Sequence, residues 1–70
     1  MIDKLLKDIG KNIKTIRLDK GLSQSALGKI CHFEKASMSR IEAGKINITI
    51  KTLYIICNAL EVRIIDIFPK

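Results

Sequence analysis

Apolar residues recur along this chain at the three- and four-residue intervals of amphipathic α-helices. The first such segment predicts a helix over about residues 3–20. Gly21 ends it, because glycine readily adopts the left-handed conformation found just beyond a helix. Gly10 is expected to weaken this helix by ~1 kcal/mol relative to alanine, so that the turn before it frays. The predicted buried face consists of Leu6, Ile9, Ile13 and Ile16. A second stripe, on another face, consists of Lys4, Lys7, Lys11 and Lys14.

Four further helices are predicted after the first one. Ser23 and Thr49 are suitable N-caps, because their hydroxyl groups can accept a hydrogen bond from a free backbone N–H of a helix start. Gly44 closes the third helix. The predicted spans are about 24–31, 34–42, 50–60 and 64–68. Because the links between them are short, we expect residues 1–70 to form a single all-α, five-helix domain.

The stretch at residues 24–43 has the pattern of a helix-turn-helix. Two steeply crossing helices need a small side chain where they touch; Gly28 supplies it, and Met38 is predicted to pack over it. Helical spacing turns one group of residues inward: Leu27, Cys31, Phe33, Met38 and Ile41. It turns a second group outward as one patch, because its members are paired at i,i+4: Lys35, Ala36, Ser39 and Arg40.

The four outward residues are of types that read DNA bases. Arginine and lysine bind guanine O6 and N7, alanine meets a thymine methyl group, and serine bonds several base edges. The second helix of a helix-turn-helix enters the major groove, which places such residues on the bases. An ordinary solvated helix face is the competing interpretation. The joint fit of the small, apolar and turn positions favours base reading, with double-stranded DNA as the partner.

The net charge and the two cysteines indicate a class of partner and a redox environment. A net charge of +6 suits a polyanion, although lysines that only solubilise the surface would give the same charge. Cys31 and Cys57 fall on apolar faces without metal-binding spacing. We therefore expect free buried thiols in a reducing cytoplasm, rather than a disulfide or a redox switch.

Other function classes find little support in the chain. A single histidine, no glycine-rich phosphate loop and no paired carboxylates on one face argue against an enzyme, and no cofactor is expected. No apolar run approaches the ~18 residues of a membrane span. The N-terminus lacks the apolar block of a signal peptide. We therefore expect a cytoplasmic protein without a membrane partner.

Residues 24–43 and their flanks resemble the Xre family of helix-turn-helix regulators. That family includes lambdoid phage repressors, Cro and the controller proteins of restriction–modification systems. The resemblance implies a lambda-repressor-like domain that binds operator DNA, usually as a homodimer on an inverted repeat. The similar positions extend over nearly the whole chain: 9–11, 17, 21–24, 39–45, 52–53, 59–60 and 67–68.

The resemblance also implies roles for individual residues. Arg17 and Glu42 match a structural salt bridge that ties the first helix to the end of the recognition helix; an unpaired Arg17 that reaches phosphate is the competing reading. The base-reading positions are Lys35, Ala36, Ser39 and Arg40. The phosphate-binding positions are Gln24, Lys45 and Asn47.

Some positions depart from the family pattern. His32 occupies a turn position that is usually glycine, so we expect a left-handed backbone there, which histidine tolerates better than most residues. Glu34 and Arg63 replace the usual serine or threonine caps of the third and last helices. The Glu34 charge favours a helix N-terminus but repels phosphate. A looser last helix is expected from Arg63.

An apolar surface is predicted on the last two helices. Ile55 and Ile65 stand at family positions that are more often polar, and Tyr54 and Ile48 lie nearby in sequence. Exposed apolar patches often mark partner surfaces. In the controller-like branch of the family, dimers form through the last two helices, so the resemblance implies a twofold homodimer through Tyr54, Ile55 and Ile65. Tighter packing within a small core is the alternative.

Two functions from different classes therefore compete. The leading one is a sequence-specific transcription regulator that binds an inverted-repeat operator as a homodimer. The alternative is a protein-interaction module, or an antitoxin-type partner protein, that uses the same fold.

Overall fold

The computed structural model describes residues 1–70. It contains four α-helices followed by a short 3-10 helix and no strand, so the expected all-α fold is confirmed. The fifth element is a 3-10 helix and ends one residue before the predicted end. The elements are α1 (Ile2–Asp19), α2 (Gln24–Cys31), α3 (Lys35–Glu42), α4 (Ile50–Leu60) and the 3-10 helix (Ile64–Ile67).

The helix ends follow the capping residues. The Ser23 hydroxyl accepts a hydrogen bond from the backbone N–H of Ala26 at 3.0 Å. Thr49 accepts one from the N–H of Thr52 at 3.1 Å. Gly21 has φ +74°, so the predicted left-handed end of α1 is confirmed. These local contacts satisfy N–H groups that a helix cannot pair internally.

The core lies where the helices meet. α3 packs against α1 and α2, α2 also packs against α4, and the 3-10 helix packs against α1 and α4. Ile9 and Ile13 form the centre of the buried face of α1, while Leu6 and Ile16 lie half-buried at its edges. Eleven apolar residues are buried: Ile9, Ile13, Leu27, Cys31, Met38, Ile41, Leu53, Ile56, Cys57, Leu60 and Ile67.

The 3-10 helix is held to the first helix by one side chain. Asn12 of α1 donates a hydrogen bond from Nδ2 to the carbonyl oxygen of Ile67 at 2.8 Å. At the start of this helix, the Asp66 carboxylate accepts from the backbone N–H of Arg63 at 2.9 Å. Asp66 thus makes one of the two bonds of a capping box, in which the third helical residue accepts from the N–H of the N-cap residue.

Both cysteines are free and buried. Burial raises the pKa of the Cys31 thiol above its ordinary value. It also raises the pKa of Cys57, to which the negative charge of Asp66 adds. Because the thiolate is the reactive form, these thiols are held in their inert, protonated state.

No helix combines the length and the apolar character that crossing a membrane requires.

Candidate nucleic-acid interface

A tight turn joins α2 to α3. His32 ends α2 with φ 61° and ψ 38°, the left-handed conformation expected there. The next backbone N–H, that of Phe33, donates to the carbonyl oxygen of Gly28 at 2.7 Å. Glu34 then stands at the N-cap of α3 with extended dihedral angles, and its side chain makes no capping hydrogen bond. The start of α3 is thus set by the turn backbone and not by a capping side chain.

Gly28 is needed because of this turn. A Cβ atom on Gly28 would lie 2.8 Å from the carbonyl oxygen of Phe33, closer than real side chains come. The three atoms nearest to such a Cβ all belong to the backbone of Phe33 and Glu34. The returning backbone of Phe33 and Glu34 therefore excludes a side chain at Gly28, and Met38 is buried in the core as predicted.

A buried ion pair connects α1 to the end of α3. Arg17 Nε lies 2.6 Å from Glu42 Oε2, and Arg17 Nη2 lies 3.0 Å from Glu42 Oε1. The remaining arginine nitrogen, Nη1, donates to the carbonyl oxygen of Leu22 at 2.7 Å. The two side chains are 6% and 3% exposed, so the pair is shielded from water. With this geometry the Arg17 guanidinium is held inside the protein and does not face solvent.

Gln24 completes the buried network. Its Nε2 donates to Glu42 Oε1 at 3.0 Å, which joins the first residue of α2 to the last residue of α3. Every buried side-chain nitrogen and oxygen in the protein has a hydrogen-bond partner. Because a fully paired polar network has one preferred arrangement, it fixes the direction in which α3 projects.

Two glycines allow α1 to approach the end of α3 closely. A Cβ on Gly10 would lie 2.5 Å from the carbonyl oxygens of Ile41 and Glu42. A Cβ on Gly44, whose φ is +71°, would lie 2.6 Å from Lys7 Cα. The helix α1 runs without a break from Ile2 to Asp19, and Gly10 is where its backbone lies against the end of α3.

The two faces of α3 differ sharply. Met38, Ile41 and Glu42 are buried on the inner face. Neither of the cations on the outer face takes part in an ion pair, so both are available to a ligand. The exposed outer residues are Lys35, Ala36, Ser39 and Arg40.

The comparisons with known proteins agree with this geometry. A family model described as HTH_3, helix-turn-helix, matches residues 13–67. The chain belongs to the HTH_3 family of helix-turn-helix domains. The expected resemblance to Xre-type regulators is thereby confirmed.

Solved structures of similar proteins include two restriction–modification controllers. The wild-type controller protein C.Esp1396I is 35% identical, with 89% of this chain and 80% of that chain covered and a TM-score of 0.80. The controller C.AhdI from Aeromonas hydrophila has a TM-score of 0.86, with 90% of this chain and 96% of that chain covered. At 24% identity, C.AhdI shows the fold alone.

A relative of a different kind is the antitoxin PezA of Streptococcus pneumoniae. It is 36% identical to this helix-turn-helix domain over 59 residues, which is 84% of the chain. The chain spans only 37% of the length of PezA.

The residues predicted to bind phosphate lie at two edges of the helix-turn-helix. Lys45 and Asn47 are exposed in the loop that follows α3. Gln24 is half-buried at the start of α2, where its amide nitrogen holds Glu42. An amide nitrogen carries two hydrogens, so one of them remains for a second acceptor.

The residues predicted to form a dimer interface lie at the other end of the domain. Tyr54 and Ile65 are exposed, by 57% and 67%. Ile55 is half-buried and packs against the core. Ile50, one helical turn before Tyr54, is also exposed and was not part of the prediction.

Sequence reasoning did not identify Gln24 as a partner of Glu42, nor Lys14 as a neighbour of α3. Lys14 lines a shallow depression together with Gln24, Ser39 and Glu42. Lys14 stands four residues after Gly10 and three before Arg17, so these three residues share one flank of α1. This spacing is the signal that could have placed Lys14 beside α3. No group of three or more His, Cys, Asp or Glu side chains is arranged to hold a metal ion.

Proposed function

We propose that this domain belongs to a transcription regulator that recognises a specific double-stranded DNA operator. The observation that carries the proposal is the division of α3 into two faces. One face is locked into the core by Met38 and Ile41, and the other presents unpaired polar and cationic side chains. Membership of the helix-turn-helix family supports the same function.

Base reading is assigned to the outer face of α3. Arg40 and Lys35 bind guanine O6 and N7 in the major groove, and Arg40 can do so with two hydrogen bonds. Ser39 bonds a neighbouring base edge, and Ala36 packs on a thymine methyl group. Because the buried network of Arg17 fixes the helix, these four residues reach the bases in one defined orientation.

Phosphate contacts are assigned to the edges of this surface. Lys45 and Asn47 follow α3, and Gln24 begins α2, so they flank the groove-facing helix at different points. The second hydrogen of the Gln24 amide and the free backbone N–H groups at the start of α2 both suit a phosphate oxygen. Contacts of this kind position a protein on DNA without reading its sequence.

A homodimer through Tyr54, Ile55 and Ile65 would present two copies of α3. Two recognition helices on one face of the DNA lie ~34 Å apart, which corresponds to half-sites about 10 bp apart in an inverted repeat. The exposed apolar surface at the α4 end supports this assembly. Sedimentation equilibrium of the wild-type protein is expected to show a dimer, and a monomer across the micromolar range would contradict it.

A second function is favoured by one relative. Streptococcus pneumoniae PezA is an antitoxin, and it is 36% identical over most of this chain. Under this alternative, the exposed apolar side chains at the α4 end bind a protein partner, and α3 does not read DNA.

Selection of bound sites from a pool of random DNA distinguishes the two functions. The regulator is expected to enrich a motif with twofold symmetry. No enriched motif would favour the protein-interaction module.

The Arg40→Ala variant then tests the base-reading role. Loss of a base contact is expected to cost ~1–3 kcal/mol on the selected operator and much less on random DNA. Arg63→Ala is the matched control, because Arg63 is an exposed arginine remote in sequence from α3. Equal losses of affinity on both DNAs would show that Arg40 contacts only the backbone.

A further inference from the structure

The lysine stripe of α1 is divided between two surfaces. Lys4 and Lys11 line a cleft of about 510 Å³ beside the C-terminal residues Phe68 and Pro69. Lys14 instead lines the depression of about 210 Å³ that it shares with Ser39, a residue assigned to base reading. The four lysines are therefore not equivalent, although their spacing makes them look like one solvated row.

We infer that Lys14 and Lys7 bind the DNA backbone, as a row of phosphate contacts supplied by α1, and that Lys4 and Lys11 do not. This inference rests on the proposed DNA-binding function and deepens it. It assigns to α1 a direct contact with the ligand, in addition to its role in orienting α3.

The close packing of α1 on α3 places these two lysines. Gly10 faces the carbonyl oxygens at the end of α3, and Lys7 and Lys14 lie three residues before it and four after it. Residues at these spacings share one flank of a helix. The Lys7 backbone itself lies against Gly44, the residue that precedes Lys45 in the proposed phosphate-binding loop. Lys7 therefore adjoins one edge of the DNA-facing surface, and Lys14 adjoins its middle.

The charges on this flank are available to phosphate. Neither Lys7 nor Lys14 takes part in an ion pair, whereas Lys4 donates to Asp8 at 2.9 Å. The one carboxylate that lines the depression with Lys14 is Glu42, and both of its oxygens are held by Arg17. The negative charge beside Lys14 is thus already neutralised within the protein.

The two lysines are not expected to contribute equally. Asp3 stands four residues before Lys7 on the same helix, and a carboxylate one turn away weakens the attraction of a lysine for phosphate. No acidic residue stands three or four residues before or after Lys14. Lys14 is therefore the stronger contact.

The test measures the salt dependence of DNA affinity for Lys14→Gln and Lys7→Gln. Lys11→Gln is the matched control, because it removes the same charge from the same helix at a residue that lines the cleft beside Phe68 and Pro69 and not the depression beside Ser39. The probes are the selected operator and a random-sequence duplex of about three helical turns. Each phosphate contact contributes about one unit to the slope of log affinity against log salt concentration.

Lys14→Gln is expected to lower that slope by about one unit on both DNAs and to weaken binding about tenfold at ~0.1 M salt, while Lys11→Gln leaves the slope unchanged. Lys14→Arg should restore the slope. An unchanged slope for Lys14→Gln, or an equal fall for Lys11→Gln, would overturn the inference while leaving the proposed function intact. Absence of salt-dependent DNA binding by the wild-type protein would instead overturn the proposed function.

Discussion

The junction between α1 and α3 and the end formed by α4 and the 3-10 helix are held together in different ways. At the junction, backbone meets backbone through Gly10, and a buried ion pair is fully hydrogen-bonded. At the other end, apolar packing and the single Asn12 hydrogen bond hold the 3-10 helix, and Ile65 remains exposed. One end of this small domain therefore has a single rigid arrangement, whereas the other end leaves apolar side chains exposed.

Removing the Glu42 carboxylate should have the largest effect on stability. Glu42→Ala leaves the Arg17 guanidinium buried without its partner, which typically costs ~3–5 kcal/mol. Urea denaturation of the variant measures the loss of unfolding free energy. A loss of that size is a large part of the whole unfolding free energy of a small domain, so a sizeable fraction of the molecules should be unfolded.

Asp8→Asn is the control for that variant. It also breaks an ion pair, the one with Lys4, but that pair is exposed and is worth less than ~1 kcal/mol. Comparable losses for the two variants would mean that burial of the junction does not matter, and the contrast between the two ends would fail.

The second prediction concerns Gly10, where helix propensity and packing change the unfolding free energy of an alanine variant in opposite directions. In an isolated helix, Gly10→Ala would stabilise by ~1 kcal/mol. In this structure the new Cβ would meet two backbone carbonyl oxygens at 2.5 Å, so we expect a destabilisation of about 3 kcal/mol. Thermal or urea denaturation shows whether the variant is less stable than the wild-type protein, as expected, or more stable.

Gly21→Ala is the control for Gly10→Ala, because it replaces a glycine that has no close neighbours. No atom lies within 4 Å of a Cβ at Gly21, so only the positive φ penalises alanine, by ~1 kcal/mol. A smaller loss at Gly10 than at Gly21 would show that α1 and α3 can separate freely.

These predictions also mark what could be read from the sequence. The left-handed turn at His32 was predicted from the resemblance, because the family usually has glycine at that position. The caps at Ser23 and Thr49 and the inward residues of α2 and α3 instead depend on neighbours within a few positions. Local spacing therefore predicted them. The same spacing predicted which residues of α3 face outward.

The rest depends on pairs far apart in the chain. Gly10 was expected only to weaken its helix, because no neighbouring residue in the sequence indicates that the end of α3 packs against it. The bonds from Gln24 to Glu42 and from Asn12 to Ile67 join residues 18 and 55 positions apart, and no sequence spacing specifies such pairs. For the same reason the lysine stripe of α1 could be recognised, but its division between two surfaces could not.

The third prediction tests the exposed end. Ile65→Asp places a charge on a side chain that is 67% exposed, so the unfolding free energy should change by less than ~0.5 kcal/mol. Dimerisation through this surface should weaken at least about tenfold, or ~1.4 kcal/mol, because a charge would be buried against apolar groups. Sedimentation equilibrium measures the association constant.

Ile2→Asp is the matched control for Ile65→Asp, since Ile2 is also an exposed isoleucine but lies at the start of α1. An unchanged dimer in Ile65→Asp would remove the 3-10 helix from the proposed interface. Equal weakening by both variants would point to net charge instead of a defined surface.

The prediction with the smallest expected effect concerns the hydrogen bond that links α1 to the 3-10 helix. Asn12→Ala removes the bond from α1 to the Ile67 carbonyl, which should cost ~1 kcal/mol of stability. Because this bond is the polar tie between α1 and the 3-10 helix, the loss should be local, with faster hydrogen exchange at the amides of Asp66 and Phe68 and unchanged exchange in α3. Asn58→Ala, an exposed asparagine of α4, is the control. If exchange in α3 became faster as well, the two ends would be coupled through α1, and the contrast between the rigid junction and the end with exposed apolar residues would fail.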